Sequence, residues 1–165
     1  MADVVTGFLL HALTQQRAYA ERLVADLSDA DMVAQPVPGV VMNHPAWVLG
    51  HLSAYPPTLA AMLRGEPPAD PKDHPFGRDS TPSADLALYG SKADALGAFN
   101  RVHDDLARAL EQTAGARFGD PNPLPRWRER FPTIADACFY LTTVHLATHL
   151  GQLSAWRRAG GRPPV

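Results

Sequence analysis

Two of the chain's seven histidines, His145 and His149, stand four residues apart. In a helix that spacing projects both imidazoles from one face about one turn apart, close enough to reach a single metal ion. Neutral imidazole suits zinc, nickel, copper and iron(II), whereas calcium and magnesium want oxygen ligands. A catalytic zinc-type site generally takes a third ligand from elsewhere in the chain. His51, in Trp47-Val48-Leu49-Gly50-His51-Leu52, is the best third: it is flanked by apolar residues, and a buried imidazole needs a partner. Gly50 beside it would let a neighbouring backbone or ligand approach closely. Each feature also has a plainer reading, as exposed histidines or as histidines hydrogen-bonded within a core.

Other residues share these faces. His44 precedes His51 by seven residues, and Trp47 and Tyr55 fall within about 40° of the same face at ~100° per residue. His44 is therefore a candidate acid, base or substrate contact, with a solvent-exposed first-turn histidine as the alternative; Trp47 reads first as core. On the face of His145 and His149 lie Cys138, Thr142, Gln152 and Trp156. Gln152 could orient a ligand from behind, contact substrate, or form a helix–helix hydrogen bond. Cys138 reads as a small buried hydrophobe rather than a ligand or nucleophile. His103 interrupts an apolar stripe, so it faces either the core or a dimer surface; His11 and His74 have no supporting context. No Glu adjoins the histidine pair as in an H-E-x-x-H metalloprotease, and no local motif suggests a Ser-His-Asp arrangement.

These residues need helices to hold them. Sixteen prolines fall mainly in clusters at 36–38, 67–82 and 121–132, with a pair at 163–164, and the gaps between clusters carry helical periodicity. The first helix is expected from about Ala2 to Leu27. The second runs from Asn43 as N-cap, with Pro45 in its first turn, to about Leu63, kinked or restarted at Pro56-Pro57 and stopped by Gly65. The third starts at a Ser83 or Ser91 cap and ends near Gln112, with a stripe of Leu96, Phe99, His103, Leu106 and Leu110. The fourth opens on a Thr133/Asp136 variant of the capping box and reaches about Arg158, before Gly160-Gly161. The expectation is an all-α four-helix bundle with long Pro-rich linkers, a single domain over residues 1–165. Stretched at roughly 3.3 Å per residue, the second linker exceeds the ~30 Å of a 20-residue helix. It can return the chain along the bundle and leave helices two and three parallel. Its His74-Pro75-Phe76-Gly77-Arg78-Asp79 segment could cover a pocket, with Arg78 meeting an anionic substrate.

Composition narrows the classes. A hydrophobic fraction of 45%, 19% charged residues and a net charge of −2 describe an ordinary globular protein with no electrostatic case for nucleic acid or an anionic membrane. One cysteine excludes an intrachain disulfide and a cysteine-rich metal cage. No stretch approaches the ~20 apolar residues of a membrane span. Met1-Ala2-Asp3-Val4-Val5-Thr6-Gly7 lacks a basic leader, so a soluble, cytoplasmic protein is expected.

The Trp47–Leu52 motif, followed far downstream by His145-Leu146-Ala147-Thr148-His149-Leu150-Gly151-Gln152-Leu153 and by the ending Arg157-Arg158-Ala159-Gly160-Gly161-Arg162-Pro163-Pro164, resembles the DinB-like superfamily. The resemblance implies a bundle of up-down-down-up connectivity. It also implies a divalent metal, often zinc or nickel, on a three-histidine site to which His51, His145 and His149 correspond. Characterised relatives use such a metal to engage a low-molecular-weight thiol such as bacillithiol or mycothiol for S-transfer or isomerisation, and homodimers are common. The function expected from it is a metal-dependent thiol S-transferase acting on an electrophilic substrate. The chemistry of the site alone leaves open a metal-dependent hydrolase, and a non-catalytic bundle that keeps its metal for stability while binding a small molecule or partner.

Overall fold

The computed structural model describes residues 4–165; the expected helix start at Ala2 lies outside them. Helix α1 spans Val4–Val24, α2 Pro45–Ser53, α3 Pro56–Arg64, α4 Lys92–Gln112, α5 Ile134–Phe139 and α6 Leu146–Ala159, with a π-helical segment Tyr140–His145 joining α5 to α6. Among the described residues the only β pairing is an isolated bridge between Pro121 and Thr133. The four expected helices are thus present, the second as α2 plus α3 and the fourth as α5, the π segment and α6.

Local chemistry sets most boundaries. Ser91 and Asp94 form a reciprocal capping box on α4, and Thr133 and Asp136 form another on α5, satisfying N–H groups that a helix start leaves orphaned. Gly65 ends α3 at φ 78°, a left-handed conformation that glycine adopts without steric cost. The N-cap of α2 is His44, not Asn43. Pro45 occupies the first helical position, and the residue before a proline is held extended, so the cap falls on 44. At Pro56 the chain starts a fresh helix rather than kinking.

Named contacts fix the directions. Arg17 pairs with Asp104, Asn100 bonds Glu21, and Lys92 Nζ reaches the carbonyls of Ala25 and Leu27, so α1 and α4 run antiparallel. His44 meets Tyr89 while Arg64 pairs with Asp105 further on, so the α2–α3 unit runs parallel to α4. Asn43 bonds Gln152 and His51 meets His145, an antiparallel pairing of α2 with α6. Buried Arg157, near the end of α6, pairs with Asp26 just past the end of α1. This is the up-down-down-up order. A continuous core including Leu13, Leu49, Phe99, Leu106, Leu150 and Trp156 fills the interior.

The π segment is the departure from expectation. Thr142, Thr143 and Val144 are consecutive β-branched residues, which disfavour regular α-helix. The hydroxyls of Thr142 and Thr143 back-bond to the carbonyls of Cys138 and Phe139, competing with the α-helical ladder there. The wider turn changes the angular register ahead of His145, so face assignments counted at 100° per residue do not carry across it.

Candidate metal centre

Beyond α3, the linker between residues 65 and 91 runs back along α2 and holds three of its side chains in reverse order. His51 Nδ1 donates to the Phe76 carbonyl at 2.7 Å, Trp47 Nε1 to Ser80 Oγ at 3.0 Å, and His44 Nε2 to the Ser83 carbonyl at 2.8 Å. Residues 44, 47 and 51 follow helical spacing, so one face of α2 is strapped along its length. The strap packs closely because Gly50 has no side chain: a Cβ there would stand 2.6 Å from Phe76 Cδ2. The close approach expected at Gly50 is made by the ring of Phe76 and not by a backbone or a ligand.

His51, His145 and His149 converge opposite the strap, each offering a ring nitrogen within 4.8 Å of the others'. His51 Nε2 lies 3.1 Å from His145 Nε2, near the ~3.3 Å separating two ligands that bind one ion tetrahedrally at ~2.0–2.1 Å. Outer hydrogen bonds fix two of the rings. Because His51 Nδ1 carries the proton shared with Phe76, its Nε2 presents a lone pair. His149 Nδ1 donates to Gln152 Oε1 at 2.9 Å, and that same oxygen accepts from Asn43 Nδ2 at 2.9 Å. Gln152 therefore both orients a histidine and ties α6 to the chain before α2, combining two of the roles its position allowed. Such outer partners set the tautomer and ring orientation of metal-binding histidines.

Electrostatics suit the same use. Burial pushes His51 down to about 4 and His145 down to about 3, with His149 adding to both shifts; burial also lowers His149, partly opposed by Gln152. All three are neutral at physiological pH, the form a metal requires. Trp47 stacks on His51 at 4.7 Å and 11°, and Tyr55 meets His51 and His145 edge-on at 5.2 and 4.8 Å. Three neutral nitrogen donors with oriented rings fit a divalent borderline metal ion.

The three histidines line an open cleft of ≈ 890 Å³. Its walls include Tyr55, Trp127, Phe131 and Tyr140, with Arg78 from the strap and Arg130 from the loop before α5. Arg130 lies 4.3 Å over the Tyr140 ring. Arg126, also at the cleft, is paired with Asp70, whereas among the described residues Arg78 and Arg130 have no carboxylate partner. Burial raises the Tyr55 hydroxyl above its ordinary value, keeping it protonated as a donor.

His44 is fully buried rather than exposed: Nδ1 accepts from the Trp47 N–H at 3.2 Å and Nε2 donates to Ser83, leaving neither ring nitrogen free. Cys138 is buried, and desolvation pushes its thiol up to about 12, so it is inert. His103 faces the core, whereas His11 and His74 are exposed. Trp127, Arg130 and Tyr140 carried no sequence signal; their place at the cleft depends on loop 113–133 folding back, where Asn122 is buried and bonds Phe131 and Leu124.

A sequence model of the DinB superfamily matches residues 12–153. A crystal structure described as a conserved protein from Enterococcus faecalis has a similar fold, with a TM-score of 0.74 at 16% identity over 96% of this chain and 98% of that one. No curated protein matches the chain significantly. Among the described residues no helix is long and apolar enough to cross a membrane.

Proposed function

From the premise that the chain belongs to the DinB superfamily, we propose that it is a divalent-metal protein with zinc or nickel on His51, His145 and His149, acting as a thiol S-transferase. The observation that carries this reading is the convergence of three neutral imidazoles on one point at an open cleft. A divalent ion on three neutral ligands keeps its full charge and stabilises a thiol as its thiolate near neutral pH. The chain's own residues do the rest. Phe76 and Gln152 hold the protons of His51 and His149 on Nδ1, away from the centre. Trp47, Tyr55, Trp127 and Tyr140 provide aromatic walls against which an electrophilic substrate can pack. Tyr55 keeps a proton available to a developing anion.

The test begins with metal analysis of protein purified without an affinity tag, beside His149→Ala. Near-stoichiometric metal in the parent and its loss in the variant are expected; equal sub-stoichiometric metal in both would sink the reading. A panel of low-molecular-weight thiols with a chromogenic electrophile should then show turnover only with thiol and metal present. Thiol-independent ester or amide cleavage would instead assign a hydrolase. A fall in melting temperature on chelation, with no turnover in either panel, would assign a structural metal.

A further inference from the structure

Two of the three histidines have a protein partner on the nitrogen facing away from the centre, and His145 has none: its one hydrogen-bonding contact is His51, through Nε2. When Nε2 serves a cation, the ring proton of His145 must sit on Nδ1, where a metal-binding histidine almost always donates it to a carboxylate, a carbonyl or water. Beside His145 lies a small cavity of ≈ 10 Å³, lined by Leu52, Leu59, Leu106 and other apolar residues, and by Tyr55, His103, Thr142 and His145. That volume is about the lower limit for one water.

His103 is the second observation. It is 1% exposed, and its Nδ1 donates to the Phe99 carbonyl at 2.7 Å, so Nε2 bears a lone pair with no protein partner. The enclosed, unpartnered side-chain polar atoms among the described residues are Arg17 Nε and Arg157 Nε. His103 Nε2 is not one of them, so it borders open space, and the cavity is the space its residue lines. Thr142 spends its hydroxyl proton on the Cys138 carbonyl at 2.8 Å, leaving its oxygen as an acceptor.

Resting on the three-histidine reading above, we propose that the cavity holds one structural water through which His103 and Thr142 position His145 as a metal ligand. The hydrogens balance: the water accepts from His145 Nδ1–H and donates to His103 Nε2 and Thr142 Oγ1. That makes the three bonds typical of a buried water and gives the third histidine the outer support the other two receive from Phe76 and Gln152. His103 is then a positioning residue, reached from the sequence only as a polar interruption in an apolar stripe.

The experiment measures zinc affinity by competition with a chromophoric chelator, and the d–d spectrum of the cobalt-substituted protein, for the parent, His103→Leu, His103→Gln and Thr142→Val. Affinity should fall roughly tenfold in His103→Leu and by a lesser factor in Thr142→Val. The cobalt bands should shift in both, and His103→Gln, which keeps an acceptor, should recover part of the loss. If His103→Leu does not fold, His103→Met, apolar and of similar length, takes its place; Thr142→Val also removes the bond to the Cys138 carbonyl, so it corroborates and does not decide. Unchanged affinity and spectra in the folded variants, whatever their melting temperatures, would overturn the proposal. A parent that binds neither zinc nor cobalt would instead overturn the three-histidine reading itself.

Discussion

Phe76 packs its ring edge against the bare backbone of Gly50, 2.6 Å from where a Cβ would stand, and its carbonyl one residue along takes the proton of His51. Packing and ligand orientation are therefore one contact. In Gly50→Ala the Phe76 ring must withdraw, because every atom that the new Cβ would crowd belongs to it. The strap should lift at that point and His51 lose its fixed tautomer. Zinc affinity should fall ~10–100-fold, while the helical signal in circular dichroism stays near the parent's. Retained affinity would show that the strap does not hold His51.

Gln152 separates orientation from charge. Its Oε1 accepts from both His149 and Asn43, so Gln152→Ala should weaken zinc binding ~10-fold by freeing the His149 ring. Gln152→Glu keeps both bonds and adds a negative charge behind the imidazole. That variant should bind zinc at least as tightly as the parent. Chelator competition at one pH reads both effects, and equal losses in the two variants would assign Gln152 a packing role only.

The spacing of His145 and His149, the Trp47–His51 motif, the capping boxes at Ser91 and Thr133 and the stop at Gly65 are local signals, and each is legible because its cause lies within a few residues. The resemblance named the up-down-down-up connectivity that the linker length allowed, and matched His51, already the best third ligand by its apolar flanks, to the pair. What stayed hidden depends on contacts distant in sequence. Nothing near His51 announces that Phe76 will take its proton, and nothing near Trp127 or Arg130 says that loop 113–133 folds over the cleft. The π segment was hidden for another reason: the β-branched run Thr142-Thr143-Val144 signals a weak stretch of α-helix but not which departure replaces it, and the wider turn emerges only from hydroxyl–carbonyl competition along it.

His44 should prove structural. Capping the α2 N-terminus contributes about 1 kcal/mol, and a buried hydrogen bond such as that to Ser83 a further ~1 kcal/mol. His44→Ala should therefore lower stability by roughly 2 kcal/mol in denaturant titration. His44→Asn should recover the capping part, since its side chain can still accept from Trp47. Both should bind zinc like the parent at temperatures where they are folded. A large loss of turnover in fully folded His44→Asn would return His44 to the catalytic candidates.

Stability of the metal-free protein should fall on mild acidification. His51, His145 and His103 have folded-state values of about 4, 3 and 4 against an ordinary 6.5, mainly through burial, and His44 and His149 are lowered too. Between these values and 6.5 the unfolded chain binds more protons than the folded one, so stability rises with pH across that window and levels off above it. Each such histidine gives a slope of up to ~1.4 kcal/mol per pH unit. The lowered carboxylates, Asp26 and Asp31 among them, lose their contribution only as pH falls below about their ordinary 3.8, so between pH 4.5 and about 6 the histidines dominate. Urea titrations across that range should show the slope, and saturating zinc should raise stability with little change of slope, because the folded rings of His51 and His145 are already deprotonated there. A flat profile would contradict the burial of the cluster.

The cleft should attract anions. Its lining carries Lys72, Arg78, Arg126 and Arg130 against Asp79 and Glu129, a local positive excess in a chain of net charge −2. Asp70 neutralises Arg126, so the guanidiniums of Arg78 and Arg130 are the ones left to meet a ligand. Arg130 is held against Tyr140, and a guanidinium so placed loses less freedom when it takes a carboxylate. An anionic thiol or electrophile should therefore be favoured over a neutral analogue of the same shape. Arg130→Ala should raise KM for the anionic compound roughly three- to tenfold, or ~0.6–1.4 kcal/mol. It should leave kcat and the neutral analogue nearly unchanged, because neither arginine bonds to any of the three histidines, although the Arg130 charge is felt at His145. Screening makes the effect salt-dependent, so the discrimination should shrink at high ionic strength. A loss in kcat instead of KM, or an equal loss for both compounds, would mean that Arg130 shapes the loop and does not select the charge of the ligand.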